Sequence, residues 1–304
     1  MIEPHGGILI HRIPDETENT QWNEYALFQR RIVVDKYTVM DLELLATGAY
    51  SPLTGFMGSE EYQNVLTEQR LISGLAWGLP ITLPISAEAS KNLSEGQDIT
   101  LQDEQGRNLA VVRIEEMYQS NKSLEVESLY GKADLSHPGV LRILEQGEIL
   151  LAGPIVYLAS RSPDDPYADY YLSPFETRAH FEELGWNTIV AFEPRNPSLP
   201  GNHLLSQTTG EYDGIFLHPL IGNSASEDLP AGVKIRCSEI LLQEYYPPDR
   251  TLLAVSPVVT RGAGWRDVLH QAIVRKNYGA THMIVNDESI NLAEETQTRL
   301  KAAV

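Results

Sequence analysis

Two short loops hold the residue types from which an oxyanion site is built. The first reads Glu193-Pro194-Arg195-Asn196-Pro197-Ser198-Leu199-Pro200-Gly201-Asn202-His203 and follows the apolar run Thr188-Ile189-Val190-Ala191-Phe192. A loop between a strand end and a helix start presents backbone N–H groups and the positive end of the helix dipole to a phosphate or sulfate. Arg195 adds a guanidinium that can grip two oxygens at once. The second loop reads Ser256-Pro257-Val258-Val259-Thr260-Arg261-Gly262-Ala263-Gly264 and supplies a second arginine, two glycines and another helix start. Arg195 and Arg261, on adjacent strand-end loops, could enclose one anion. The competing reading pairs each arginine with an acidic neighbour.

The elements that carry these loops are legible in the period of the chain. Ser173-Pro174-Phe175-Glu176 is a capping box with proline at the first helical position, and Gly185 is placed to end that helix. Strands follow at Thr188–Phe192, Gly214–Leu217, Leu252–Val255 and His282–Val285, separated by helical patterns. One helix is expected to carry Val233, Cys237, Ile240 and Leu241 on one face. The next turns Val268, Leu269, Ala272 and Ile273 inward and stops at Gly279. This alternation predicts βαβ units on a doubly wound parallel sheet, which binds ligands at the carboxyl ends of its strands. The loops after Phe192, Leu217, Val255 and Val285 are therefore the candidates.

The preceding half reads as mostly β. An apolar-periodic helix runs through Met40, Leu42, Leu44 and Leu45, and a Pro-interrupted run, LPITLPIS, suits a sheet edge. EGQDITLQDEQGRNLAVVRIEEMY reads as a hairpin around Gly106. Short strands with turn punctuation indicate a small barrel-like domain. The period changes at Ser162-Pro163-Asp164-Asp165-Pro166, so the expected domains are residues 1–165, β-rich, and 166–304, α/β.

Composition narrows the ligands. The chain of 304 residues has 23 Lys and Arg against 42 Asp and Glu, a formal charge of −19. Such a surface repels nucleic-acid phosphates and anionic lipid, so neither is an expected partner. No apolar run approaches the roughly 20 residues of a membrane span, and no secretory signal is visible. The one cysteine, Cys237, excludes an intrachain disulfide, and a reducing cytoplasm is expected. No His, Cys and Asp cluster has metal-site spacing. His218, at a strand end, and His270, on a helix, read as structural.

PHGG, LLATGAYSPLTGFMG, LPITLPIS, HPGV, AGPI, SPFETRAHFEELGW, EPRNP, DGIFLHPLIG, EILLQEYYPPDR and AIVRKNYGATHMIV occur in that order from residue 5 to about residue 285. Together they resemble the ATP sulfurylase (sulfate adenylyltransferase) family. The resemblance implies a PUA-like β-barrel domain followed by a Rossmann-like, HUP-type nucleotidyltransferase domain. It implies a reaction in which a sulfate oxygen attacks the α-phosphorus of ATP and pyrophosphate leaves. ATP, with Mg, would then be substrate, and no tightly bound cofactor is expected. It also implies a homo-oligomer. The implied catalytic residues are Arg195, Asn196 and Arg261. Glu193, Arg195 and Ala263 stand at the anion, and Asn196, Gly201, His203 and Gly264 at the nucleotide.

The chain departs from the family at several of these positions. The family signature Gln-Thr-Arg-Asn-Pro-x-His-x-x-His keeps its Arg and Asn here as Arg195 and Asn196. Its Gln is Glu193, and its two His are Leu199 and Asn202. His203 lies one residue late, roughly 100° around a helix start. The family's Gly-Arg-Asp-His-Ala-Gly is replaced by Asn286-Asp287-Glu288-Ser289-Ile290-Asn291, and family chains continue beyond the length seen here. Thr260-Arg261-Gly262-Ala263-Gly264 retains the Arg, Ala and Gly of Met-Arg-Tyr-Ala-Gly. Losing one preorganised charge-stabilising group costs about 10²–10³ in rate, so activity is expected to be weak, absent or altered. Glu193 adds a like charge that at 4 Å costs a dianion roughly 4 kcal/mol per unit at an effective dielectric of 20. It is expected to lie beside Arg195. A non-catalytic binding or assembly partner, or an adenylyltransferase or binder for a less anionic ligand, remain the alternatives.

Overall fold

The computed structural model describes residues 1–132, 134–159, 167–193, 210–222, 229–244 and 246–285. The expected linker at 162–166 lies outside these residues, as do Arg195, Asn196, Leu199, Gly201, Asn202, His203 and the segment 286–291.

The first half is organised on one long strand. Strands β1 (Arg30–Val33), β2 (Gly55–Phe56), β3 (Leu83–Ile85), β4 (Asp98–Gln102), β5 (Asn108–Arg113), β6 (Glu116–Gln119) and β7 (Ile149–Tyr157) form a seven-stranded sheet. β7 pairs with β3 and β6 through Ile149–Ala152, with β2 at Gly153 and Pro154, and with β5 through Ile155–Tyr157. It changes partner at Gly153, where an added Cβ would sit 1.9 Å from the Arg113 carbonyl oxygen. Only glycine permits that approach inside a strand. The predicted hairpin is β4–β5, closed by Gly106 at φ +79.

Helices α1 (Glu16–Ala26), α2 (Lys36–Thr47), α3 (Ser59–Glu68), α4 (Ala87–Ser90), α5 (Lys122–Tyr130) and α6 (Pro138–Glu145) decorate this sheet. The half is therefore less purely β than its sequence reads. Of the longer ones, α2 alone was expected from its apolar period. α1 buries Ala26 alone, so no periodic stripe announces it. Its signals are the Asp15 cap, which accepts from the Glu18 N–H, and the first-turn acids Glu16 and Glu18.

The second half holds α7 (Pro174–Glu183), β8 (Ile189–Phe192), β9 (Gly214–Leu217), α8 (Ala231–Glu244), β10 (Thr251–Leu253), α9 (Trp265–Asn277) and β11 (His282–Met283). The four strands run parallel in the order β10-β9-β8-β11, as the alternation predicts. The capping box of α7 is formed, with Ser173 and Glu176 bonding each other's backbone N–H groups. Gly214 must be glycine, because a Cβ there would meet the Trp186 ring at 2.0 Å.

The buried face of α8 differs from the expected one. Lys234, Ile235, Ser238 and Leu241 point inward, while Val233 and Ile240 are each 43% exposed and Cys237 is half-buried. Apolar counting fails here because Lys234 is satisfied on the inside. Its ammonium donates to the Leu220 carbonyl at 2.7 Å, and Ser238 donates to the Lys234 carbonyl at 2.8 Å.

One core unites the halves. Leu42, Tyr50, Trp77 and Ile81 share a buried cluster with Phe181, Ile189, Phe216, Leu269, Ile273 and Tyr278. Helix α9 is the contact element. It is buried nearly all round, including Arg266, His270, Arg275 and Asn277.

Candidate functional site

The strand order reverses between β8 and β11. The chain steps from β8 through β9 to β10 on one side, then crosses back to β11 on the other. Outside the carboxyl ends of those two strands lies a cavity of about 250 Å³. Glu193, directly after β8, and Met283, Ile284 and Val285, at and after β11, form two of its walls. Thr260, Gly262 and Gly264 form a third, and α9 supplies the floor through Asp267, Gln271 and Arg275. These last three are spaced four residues apart, so they make one polar stripe along the helix.

Each cavity side chain has a traceable hold. Asp267 folds the preceding loop, accepting the Arg261 N–H at 2.9 Å and the Ala263 N–H at 2.6 Å. Burial raises its pKa against the pull of those donors. Gly264, at φ +59, is the N-cap of α9 and offers no capping side chain; the first-turn N–H groups of Arg266 and Asp267 donate to the Ala263 and Gly264 carbonyls at 3.2 and 3.1 Å. Arg275 is 3% exposed. It donates to Gln271 Oε1 at 3.0 Å and Met283 Sδ at 3.2 Å from one nitrogen, and to the His218 carbonyl at 3.4 Å from the other. That second nitrogen lies 3.8 Å from Glu193 Oε2. The result is a small site with a helix start, a buried guanidinium and a facing carboxylate. It suits an anionic or phosphate-bearing ligand.

The expected site residues divide. Glu193 and Gly264 line the cavity. The Glu193 carboxylate faces Arg275, a residue the loop reading overlooked, while its expected partner Arg195 lies outside the described residues. Arg261 and Ala263, expected at the anion, turn their side chains elsewhere. Arg261 donates from Nη2 to Asp41 Oδ2 at 2.7 Å and from Nη1 to the Pro80 carbonyl at 2.7 Å. Burial opposes its charge, but Asp41, Tyr50, Tyr130 and Asp267 together hold its pKa above the ordinary value. Of the two readings of Arg261, pairing with an acidic neighbour is the one realised. The Ala263 methyl packs in an apolar cluster with Leu79, Val126, Leu129, Val140 and Ile143.

The first half grips the loop from its other side. The Tyr130 hydroxyl donates to the Arg261 carbonyl at 2.8 Å. His137 covers Gly262, where an added Cβ would meet its ring at 2.8 Å. His218 and His270 are buried. His218 stacks on Phe216 and lies tilted against Tyr278, each at 4.5 Å, and burial with the Arg275 charge holds it well below the ordinary pKa. His270 lies edge-on to Tyr50 and Trp77; burial, then the Arg261 charge, pushes it down to about 3. Both rings are therefore neutral and structural. Among the described residues no group of three His, Cys, Asp or Glu side chains could hold a metal ion, and no helix is long and apolar enough to cross a membrane.

A signal for Arg275, Gln271 and Asp267 exists in the sequence. It is a polar stripe at four-residue spacing, 267, 271 and 275, within a helix.

Comparison with known proteins gives a consistent answer. A family model described as PUA-like domain matches residues 2–160, and one described as ATP-sulfurylase matches residues 168–292. The sulfate adenylyltransferase of Synechococcus sp. (strain JA-3-3Ab) is 43% identical over 285 residues, 93% of this chain and 72% of that protein. That of Symbiobacterium thermophilum is 44% identical over 285 residues, with the same two shares. That of Microcystis aeruginosa is 40% identical over 294 residues, 96% of this chain and 75% of that protein. Among solved structures, a hexameric APS kinase from Thiobacillus denitrificans superposes with a TM-score of 0.77 at 26% identity. All of this chain is covered there, and it spans 55% of that structure's chain.

Proposed function

The chain belongs to the ATP-sulfurylase family, and on that premise we propose that it binds ATP and an anion in the cavity at the β8/β11 reversal but forms adenylyl sulfate only slowly. The observation that carries the binding half is the cavity itself. A helix start without a side-chain cap and a buried arginine meet at the place where parallel sheets of this order take their ligands. The nucleotide would enter as its magnesium salt. Arg195 and Asn196 are the proposed contacts to sulfate and phosphate, with Gly201, His203 and Gly264 along the nucleotide. Arg261 acts through the loop it anchors, and Ala263 packs beneath that loop.

The slow half rests on residue identity. Leu199 and Asn202 occupy the positions of the family's histidine pair. Neither side chain can carry positive charge to the triphosphate as pyrophosphate departs. Each such loss is worth about 10²–10³ in rate, and the losses combine less than additively. The division of labour we propose runs between residues 1–165, which brace the site, and 166–304, which contain it. A cytoplasmic setting and self-association complete the reading, the latter suggested by the structural neighbour's being a hexamer.

The test incubates pure protein with magnesium, ATP, sulfate and pyrophosphatase and follows phosphate, with calorimetric titration of ATP in parallel. ATP binding with phosphate release several orders of magnitude below that of the Synechococcus relative is expected. Turnover matching that relative would overturn the slow half, and absence of ATP binding would overturn the whole reading.

A further inference from the structure

The polar stripe on the cavity floor holds a donor that the protein itself does not use. Gln271 is 7% exposed and lines the cavity between Asp267 and Arg275. Its Oε1 accepts from Arg275 Nη1 at 3.0 Å. A guanidinium only donates, so this bond fixes which end of the amide is oxygen and which is nitrogen. The Nε2 end, with its two N–H groups, has no hydrogen-bond partner among the described residues. It is not sealed from solvent either. A reachable nitrogen on a side chain this buried opens onto the cavity that the side chain lines. The neighbours on the stripe are engaged. Asp267 uses its two oxygens on the Arg261 and Ala263 N–H groups. Both terminal nitrogens of Arg275 donate to protein acceptors: Gln271 and Met283 from one, the His218 carbonyl from the other.

Resting on the cavity being the ligand site, as argued above, we propose that Gln271 contacts the ligand there, its amide N–H groups donating to an oxygen of a bound oxyanion. Arg275 stands behind it as a positioning residue. If the amide turned over, its nitrogen would meet the guanidinium donor against donor, and its oxygen would face the cavity. The bond from Arg275 excludes that state, so the floor presents a neutral donor of fixed direction. Such a donor recognises an acceptor that carries no proton, as the oxygens of sulfate and phosphate are at neutral pH. A buried donor left unmatched is costly, and a bond to a charged acceptor is the stronger kind. An oxyanion oxygen placed against Nε2 therefore gains more here than at an exposed amide. Sulfate and the phosphates of a nucleotide share this chemistry.

The full chain and its Gln271→Leu variant are titrated calorimetrically with sulfate and with magnesium ATP. Leucine is close to glutamine in size and leaves Arg275 its Met283 and His218 acceptors. The variant should bind the contacted ligand about 10- to 100-fold more weakly. In parallel, the side-chain amide resonance of Gln271 is followed by nuclear magnetic resonance on the isotopically labelled native chain. It should shift when sulfate or magnesium ATP saturates the site. It should stay in place with adenosine, which has the base and sugar but no oxyanion. A shift with sulfate puts the contacted oxygen on sulfate, and a shift with magnesium ATP alone puts it on a phosphate. Unchanged affinities for both ligands, a resonance that neither ligand moves, or an equal shift with adenosine would overturn the proposal. The resonance is read on the native chain, so it decides the matter even if Gln271→Leu does not fold. A native chain that binds neither ligand overturns the site reading as well, whereas binding that leaves Gln271 untouched overturns this inference alone.

Discussion

Two arginines separated by little more than one helix, Arg261 and Arg275, sit on opposite sides of the same unit and are used differently. Toward the β-rich half, Arg261 meets Asp41 at 2.7 Å and the Pro80 carbonyl at 2.7 Å. Arg266 donates to the carbonyls of Val65, Leu66 and Gly78, and Asn277 to those of Ala49 and Ser51. Toward the cavity, Arg275 is oriented by neutral acceptors and meets its carboxylate at 3.8 Å. Both arginines are buried, so burial does not separate scaffold from site. The separation lies in whether the carboxylate closes on the cation or stands off across a cavity.

The comparison is broken most directly at Arg261. Arg261→Met leaves Asp41 buried without its cation and should cost about 3–5 kcal/mol of unfolding free energy, read by urea denaturation. A loss below about 1 kcal/mol would place the two sides on the same footing.

Next in size is a pH effect from the same interface. The folded pKa of His270 is depressed from 6.5 to about 3, so between those values the unfolded state takes up a proton and the folded state does not. Stability therefore rises with pH across the window and is lost as pH falls below about 6.5. At pH 5 this histidine alone should account for about 2 kcal/mol, and His218, shifted the same way, adds to it. His270→Phe should remove its share of the slope between pH 7 and pH 5 in parallel denaturations. An unchanged slope would mean that His270 is protonated in the folded chain.

A smaller effect is expected where the first half touches the loop. Gly262→Ala introduces a Cβ 2.8 Å from His137 at φ +72, whereas a Cβ on Gly264, at φ +59, meets nothing within 4 Å. Both substitutions carry a backbone cost of about 1 kcal/mol, and the first should exceed the second by about 1 kcal/mol more. Equal costs would show that His137 yields. The smallest effect belongs to the cavity: Glu193→Gln should change stability by no more than about 1 kcal/mol, because Arg275 keeps its neutral acceptors. A loss like that of Arg261→Met would mean that Glu193 is structural after all.

Much of the α/β half is legible in the sequence. The capping box at Ser173, the β-runs at Ile189, Gly214 and His282 and the stop at Gly279 follow from local rules, and the parallel sheet appears as predicted. The β-rich half was less so. Helix α1 buries a single residue and shows no stripe, and α3 buries Tyr62, Val65 and Leu66 within a short segment. For α8 the apolar stripe pointed the wrong way, since a buried lysine with a carbonyl partner outweighed Val233 and Ile240. Of the loop residues, Glu193 and Gly264 line the cavity, whereas Arg261 turns to Asp41 and the cavity arginine is Arg275. Both are arginines near a helix start or end in an acidic chain, and spacing alone does not say where a long side chain points.

By itself the sequence determined the family and the order of elements in the sheet-forming half. Those properties are written in residue type and local period, which survive without knowledge of partners. The tertiary structure alone decided which carboxylate each arginine meets. Asp41 lies 220 residues before Arg261 in the chain, and Glu193 follows β8 whereas Arg275 sits on α9. A guanidinium on a flexible stem reaches in many directions, and only the packing of α9 between the two halves selects one.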